Sequence, residues 1–521
     1  MLLGIDFGTT HTVVTSVDRG NYPLVSFQTE SGDTLEWHPS LIAARGSELA
    51  FGFAAAAKEA EPGWTLRRSF KRELATLGPD DRVVIGNCEI TALELLTAYL
   101  TQLQRDLLER SNLRIKARQN LEAMISVPAN ANSNQRFLTI EAFRRAGFEI
   151  CGMLNEPSAA GIEYAHHILG AHGTSRREHL VVYDLGGGTF DTSVISIATQ
   201  HHEVISSEGI AQLGGDDFDH LLLDLALQTA GISEASETAR ASLLEECREK
   251  KEGLHPNTRK LAIDLGRGIE GAGEVIVATA DFYDQCRPLV ERTIAAIEQL
   301  MSQSGIPMNE AAALYLVGGS SDLPIVARTL RERYPRLVKR SAYPHAAVAI
   351  GLAIAADNDA GYQLHERFTR NFGVWRDTDE GHGIVFDVLF EKDTLLPTTG
   401  EPPIIRTRRY YPAHNIGHFR YLECGSLNAQ GQPHGDLTPW QEIRFPFDPA
   451  LRTDKDLLQH TVSRSLHSDN LIEEIYSCDS TGIIEVAIQD LSSYFGQHFR
   501  LSGNKEEEKK MVRKNRSSGK N

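Results

Sequence analysis

Two short stretches carry the residue types that phosphate chemistry needs. The first is Asp6-Phe7-Gly8-Thr9-Thr10, and the second is Asp184-Leu185-Gly186-Gly187-Gly188-Thr189. Glycines let a backbone approach a ligand closely, and successive N–H groups in such a turn form an anion-binding concavity. Threonine hydroxyls add donors to phosphate oxygens. The two aspartates would repel a bare polyphosphate, so they make chemical sense with a divalent cation between them and the phosphates. Hard oxygen ligands of this kind suit Mg²⁺, usually through water.

The flanking residues say what must position these tips. "LLGIDFGTTHTVVTSV" (2–17) and "LVVYDLGGGTFDTSVI" (180–195) both run apolar strand, acidic-glycine turn, apolar strand. Two hairpins with one tip design predict a duplicated α/β domain whose halves present their tips to a shared cleft. A third glycine pair, Gly318-Gly319 followed by Ser320, ends the strand "ALYLV" and precedes a helix starting near Pro324. A glycine turn that opens a helix can hold ribose or phosphate at the helix N-terminus.

Composition narrows the class. The chain has 521 residues, too many for one core, and its 41% hydrophobic and 24% charged content is that of a globular protein. A formal net charge of −17 argues against nucleic acid or an anionic membrane surface as partner. The six cysteines have no close pair, which predicts neither a disulfide framework nor a zinc knuckle and fits a reducing, cytoplasmic location. Asp6 precedes any apolar run, so no secretory signal is expected. The longest apolar stretch, "AAVAIGLAIAA" (346–356), is too short to span a bilayer.

Phosphate hairpin, phosphate hairpin and Gly-Gly turn follow in the order of the actin-like ATPase superfamily. Within it, "SFKREL" (69–74), "VPANANSNQRFLTIEAFRRAGFEICGMLNEPSAAGIEYA" (127–165), "DLGGGTFD" (184–191) and "QLGGDDFD" (212–219) resemble the seventy-kilodalton heat-shock chaperones. The resemblance covers roughly residues 1–356. It implies an actin-like (ribonuclease H-like) ATPase domain over 1–357, with ATP or ADP and Mg²⁺ as cofactors. Asp6 and Asp184 would hold the Mg²⁺ hydration shell. Gly8, Thr9, Thr10 and His11 would form the first phosphate loop, and Gly186, Gly187, Gly188 and Thr189 the second. Lys71 would position the attacking water, with Glu156, Asp184 and Thr189 completing the catalytic set. Gly214, Gly215 and Asp216 would lie beside the γ-phosphate, and Gly318, Gly319 and Ser320 at the nucleoside. Pro128 and Arg136 match the family's relay toward the domain interface.

Several positions depart from the family's pattern. One adenine-stacking cation is replaced by Asp322, leaving Arg248 and Lys251 as the cations offered to the base. Gly152 stands where bacterial members carry an arginine that engages J-domain proteins, which argues against a standard J-domain partner. A nucleotide-exchange factor remains among the partners that the resemblance implies. Residues 358–371 form the expected linker but lack the family's leucine run, which predicts a weakened interdomain signal.

Beyond it, short alternating stretches broken by Gly, Pro and Asp predict an all-β sandwich over 372–503. "FEKDTLLPTT" and "CDSTGIIEVAIQD" resemble the family's peptide-binding sandwich, with Phe372, Val374 and Phe386 as candidates either for a groove or for core. Residues 504–521, of mixed charge, are expected to be disordered and too short for a helical lid. Two functions fit: an ATP-hydrolysing chaperone binding extended polypeptide segments through a lidless sandwich, or a nucleotide-switched regulatory scaffold gripping one dedicated partner. A sugar kinase is a distant third, since no catalytic-base aspartate sits in a sugar-kinase context.

Overall fold

A computed structural model describes residues 1–29, 31–59, 61–115, 119–169, 177–197, 201–378, 383–440, 442–454, 456–464 and 470–500. The expected tail, 504–521, lies outside the described residues.

Two sheets with matching strand order form the first two-thirds of the molecule. In the first lobe β1 (Leu2–Phe7) and β2 (His11–Ser16) make an antiparallel hairpin, with Asp6 opposite Val13. The short β3 (His38–Pro39) extends it beyond β2. Helix α1 (Ala92–Glu109) starts in a capping box between Thr91 and Glu94 and buries Leu93, Leu96, Tyr99, Leu100, Leu103 and Leu107, one face at helical spacing. Strand β4 (Glu122–Val127) lies parallel to β1. Helix α2 (Ser133–Arg145) is capped by Asn132, and β5 (Glu149–Asn155) lies parallel to β4. The sheet order is β5-β4-β1-β2-β3. Helix α3 (Glu156–Tyr164) leaves β5 directly, with Pro157 in its first turn, where a missing N–H costs nothing.

In the second lobe β6 (His179–Leu185) and β7 (Phe190–Ser196) form the second hairpin, continued by β8 (His201–Ile210). Helices α4 (Gly215–Thr229) and α5 (Glu237–Glu252) pack on this sheet's core. Strand β9 (Ala311–Val317) is parallel to β6, α6 (Pro324–Arg333) follows the Gly318-Gly319 turn, and β10 (Val338–Arg340) is parallel to β9. Helix α7 (Ala347–Ala356), apolar on every side, is buried between the lobes. A Cβ on Gly4 would stand 2.3 Å from Ala349 O, and one on Gly351 would stand 1.8 Å from Ala159 O. Bare glycines thus let α7 press against both β1 and α3.

The segment expected as a linker carries β11 (Gln363–His365), which joins β8 in parallel and completes the order β10-β9-β6-β7-β8-β11. Its edge pairing needs only backbone groups, so the missing leucine run does not prevent it. Leu364 adds partly buried apolar surface against α7 residues.

Beyond residue 370 the described strands form two four-stranded sheets and one antiparallel pair, Ile416–Phe419 with Ile443–Pro446. One has β12 (Asn371–Thr378), β13 (Gly383–Phe390), β15 (Tyr421–Leu427) and β16 (Pro433–Pro439) in the order β13-β12-β15-β16. The other has β14 (Ile404–Tyr410), β17 (Ile472–Cys478), β18 (Ile484–Asp490) and β19 (Phe495–Arg500) in the order β14-β17-β18-β19. Phe372, Val374 and Tyr421 from the first share one core with Ile472, Tyr476, Val486 and Ile488 from the second. Among the described residues no helix is long and apolar enough to cross a membrane.

Candidate functional site

The glycine turns meet at one place. A Cβ on Gly187 would lie 2.8 Å from Thr10 Cγ2, one on Gly188 2.8 Å from Thr9 Cγ2, and one on Gly214 2.6 Å from Gly187 O. A Cβ on Gly215 would lie 2.5 Å from Ser320 Oγ, so the Gly318–Ser320 turn closes on the Gly214-Gly215 turn. Gly318 has φ +82°, a left-handed conformation that favours glycine, and a Cβ there would sit 2.5 Å from Asp184 Oδ1.

Not every amide in these turns is free for an anion. Gly186 N–H donates to Thr189 O, Gly215 N–H to Gly186 O, Asp216 N–H to Gly187 O, and Gly214 N–H to Asp217 Oδ2. Among the described residues no protein acceptor takes the amides of Thr9, Gly187 or Gly188. The donors facing a ligand are therefore fewer than a fully open pair of loops would offer.

Behind the turns lies a buried charge cluster. Lys71, in the 3₁₀ turn Phe70–Ala75, donates to Glu156 Oε1 at 2.5 Å, and Glu156 is the first residue of α3. Ser126 Oγ donates to Asp6 Oδ1 at 2.8 Å. Burial, reinforced by Glu156, pushes the Asp6 carboxyl up to about 6. Burial, then Glu156, Asp191 and Asp6, hold Asp184 well above the usual carboxylate range. Asp191 is pushed up to about 7 by burial and Glu156. Burial opposes the Lys71 ammonium, but Glu156, Asp6 and Asp191 outweigh it and raise its pKa.

Four carboxylates face one ammonium, a deficit of positive charge that a hydrated divalent cation would offset. Among the described residues no group of three or more His, Cys, Asp or Glu is placed to ligate a metal directly.

Asp191 is the functional candidate that motif reading passed over. Its signal was available: the hairpin register sets Asp191 directly across from Asp184. Arg72, next to Lys71, is another. It packs on Gly188 and reaches Asp216 and Asp217, each at 3.4 Å, across the cleft. Arg68 spans the same gap to Glu245 at 2.9 Å.

The residues read as base contacts are drawn into ion pairs. Arg248 meets Asp216 at 3.1 Å, Asp219 at 3.3 Å and Glu245 at 3.0 Å. Lys251 is buried, 2.7 Å from Asp219, and donates to Gly215 O at 2.8 Å. Asp322 is paired with Arg340, whereas a Cβ on Gly319 would meet open space. His11 sits edge-on to Trp37 at 5.0 Å, and burial with nearby Arg248 pushes it down to about 4, so it is a neutral imidazole at pH 7.

At the junction with the β-strands, Arg136 donates to Asn155 Oδ1 at 2.5 Å and to Thr481 O at 3.5 Å. Glu366, just after β11, accepts from Asn155 N at 2.8 Å and Asn155 Nδ2 at 2.6 Å. Ser133 donates to Glu423 through both its amide, at 3.2 Å, and its hydroxyl. The first residue of α2 thereby meets β15. Pro128 accepts from Ala131 N–H within the turn before α2. Gly152 is buried against Met124, and a Cβ there would lie 3.6 Å from Thr399 Oγ1.

In the β-sheets, Phe372 and Val374 are buried between the two layers, and Phe386 is buried on the opposite face with Leu422 and Cys424. All three are core residues, and Phe372 also borders a cavity of about 20 Å³ at the junction with the first lobe, beside Ser133, Arg136, Arg370 and Glu423. One end of the inter-sheet space is filled with charge. Arg376 grips fully buried Glu474 at 3.1 and 2.6 Å and Asp387 at 2.7 Å, and Arg408 holds Asp387 through two bonds of 2.8 Å. Tyr410 and Tyr476 also donate to Glu474. Forked guanidinium–carboxylate pairs of this kind fix geometry as well as charge.

Comparison with protein families places the site in a wider context. The model of the family described as Hsp70 protein matches residues 81–368, from β-strand Arg82–Ile85 in the first lobe to just beyond β11.

Proposed function

With more than half of its length matched, the chain belongs to the Hsp70 family of ATP-binding, ATP-hydrolysing chaperones, and we propose that it binds Mg²⁺-ATP between its two hairpin tips, hydrolyses it slowly, and uses the state of that cleft to control polypeptide binding by its β-strand region. The observation that carries the reading is the convergence of both aspartate-bearing tips and the Gly318 turn around the buried Lys71–Glu156 pair. The repeated strand order of the two lobes supports a duplicated actin-like domain.

Phosphoryl transfer needs mainly positioning and charge neutralisation. The Thr9, Gly187 and Gly188 amides, with the Thr10 and Thr189 hydroxyls, would hold the phosphates. Lys71, fixed by Glu156, would orient a water and neutralise charge building on the transferred group. Asp6 and Asp184 would hold the water shell of Mg²⁺, which when bound supplies the positive charge that the phosphates and carboxylates share. The Lys71 ammonium, held protonated by Glu156, Asp6 and Asp191, cannot itself take a proton from that water, which favours slow turnover.

A second reading has its own support. The Arg376–Glu474–Asp387–Arg408 network fills one end of the inter-sheet space. A filled, polar interior favours a single dedicated protein partner over generic apolar segments. A peptide-array binding assay with ATP, with ADP and without nucleotide separates the two. Broad binding to apolar extended peptides that changes with nucleotide supports the chaperone reading. Absence of any such binding by a chain that still hydrolyses ATP supports the dedicated-partner reading.

A further inference from the structure

Beneath the first phosphate loop runs a line of buried polar side chains with no part in the chemistry described above. Asp106 on α1 is 2.9 Å from His38 Nε2, and His38 Nδ1 is 3.2 Å from Tyr99 Oη. Tyr99 Oη is 2.8 Å from Thr12 Oγ1 and 3.4 Å from Ser40 Oγ, and the two smaller hydroxyls are 3.1 Å apart. Each of these five residues is at most 2% exposed. Asp106 is tied in turn to Gln102 and to Arg110. Burying five polar groups is costly unless every one is satisfied, and such networks make their members rigid when they are. The chain makes room for it: Gly52, at φ +58°, has its missing Cβ only 2.1 Å from the His38 ring.

The line ends on the phosphate loop. Ser40 Oγ donates to Gly8 O at 2.8 Å, and Ser40 N–H donates to Thr10 O at 3.0 Å. A trans peptide is planar, with its C=O and the following N–H pointing in opposite directions. Fixing the Gly8 and Thr10 carbonyls from behind therefore fixes the Thr9 and His11 N–H groups to point away from Ser40.

We propose that Ser40, held through Thr12 at the end of the buried Asp106–His38–Tyr99 line, is a positioning residue for the nucleotide phosphates, turning the Thr9 and His11 amides toward the cleft. This rests on the reading of the cleft as a nucleotide site. Neutral His38, kept so by burial, can donate to Asp106 through Nε2 and accept from Tyr99 through Nδ1. That leaves the one Thr12 hydroxyl proton shared between Tyr99 Oη, at 2.8 Å, and Ser40 Oγ, at 3.1 Å, as a three-centre bond, while Ser40 donates to Gly8.

The test is calorimetric titration of the full chain with Mg²⁺-ATP, for wild type, Ser40→Ala, Ser40→Thr, Tyr99→Phe and the Ser40→Ala/Tyr99→Phe pair, with Tm measured for each. Ser40→Ala and Tyr99→Phe should each raise Kd by roughly three- to tenfold, the worth of one net hydrogen bond. Ser40→Thr, which keeps the hydroxyl, should restore most of the loss. The double variant should lose little more than the worse single, since both cut the same line. Wild-type Kd in both Ser40→Ala and Tyr99→Phe overturns the proposal, as do losses that simply add. If Ser40→Ala does not fold, Tyr99→Phe decides, because its ring packing is unchanged. A wild-type chain that binds no Mg²⁺-ATP overturns the nucleotide reading itself, and the proposal with it.

Discussion

Replacing a site carboxylate by its neutral isostere should stabilise the nucleotide-free protein, and Asp191→Asn is the cleanest case. Burial and Glu156 push this carboxyl from its ordinary 3.8 up to about 7. Because the folded value lies above the unfolded one, the folded state holds the proton between about pH 4 and 7. Stability is therefore lost as pH rises through that window and levels off above it. A shift of about three pH units corresponds to on the order of 4 kcal/mol. Lys71 and the polar groups of Asn130 and Thr189 favour the charge, an effect that asparagine replaces only in part. The net gain expected at pH 8 is about 1–3 kcal/mol, falling to near zero at pH 4. Urea unfolding in the presence of a chelator, at pH 4 and pH 8, reads it as a shift in the first transition midpoint. An Asp191→Asn midpoint lowered equally at both pH values would refute the electrostatic reasoning.

Two further outcomes follow from particular contacts. Arg248 is committed to three carboxylates and Asp322 to Arg340, so base stacking should be weakened by about 0.5–2 kcal/mol per lost cation contact. Titration with ATP and GTP should show a narrow preference, and a thousandfold preference for ATP would contradict this. Glu366→Gln exchanges a buried charged acceptor of two Asn155 donors for a neutral amide, a loss of about 1.5–3 kcal/mol. Limited proteolysis within 358–371 should accelerate about tenfold or more, and an unchanged cleavage rate would show that Glu366 does not hold this segment down.

The hairpins were legible because they need a local pattern: apolar strand, acid, glycines, apolar strand. Alternation likewise placed Phe372 and Val374 on one face of a strand, but it cannot say whether that face is core or groove. The structure makes it core. Strand β11 was not legible, since three residues on a sheet edge are held by backbone bonds that carry no side-chain signature. Nor was the Arg376–Glu474 pair, whose partners are 98 residues apart. The commitment of Arg248 and Lys251 to Asp219 and their other partners depends on how α5 crosses α4, which neither helix encodes alone. Asp191 could have been found from the hairpin register, because a seven-residue step around a glycine tip returns the chain to the same rung.

The central claim is that Lys71, fixed by Glu156, serves hydrolysis of a nucleotide held by the two tips. Single-turnover phosphate release from a preformed Mg²⁺-ATP complex tests it most directly, comparing wild type with Lys71→Ala. Wild type should release phosphate in one slow first-order phase, and Lys71→Ala should bind ATP yet release phosphate about a hundredfold more slowly or worse. Phosphate release by Lys71→Ala at the wild-type rate would contradict the account.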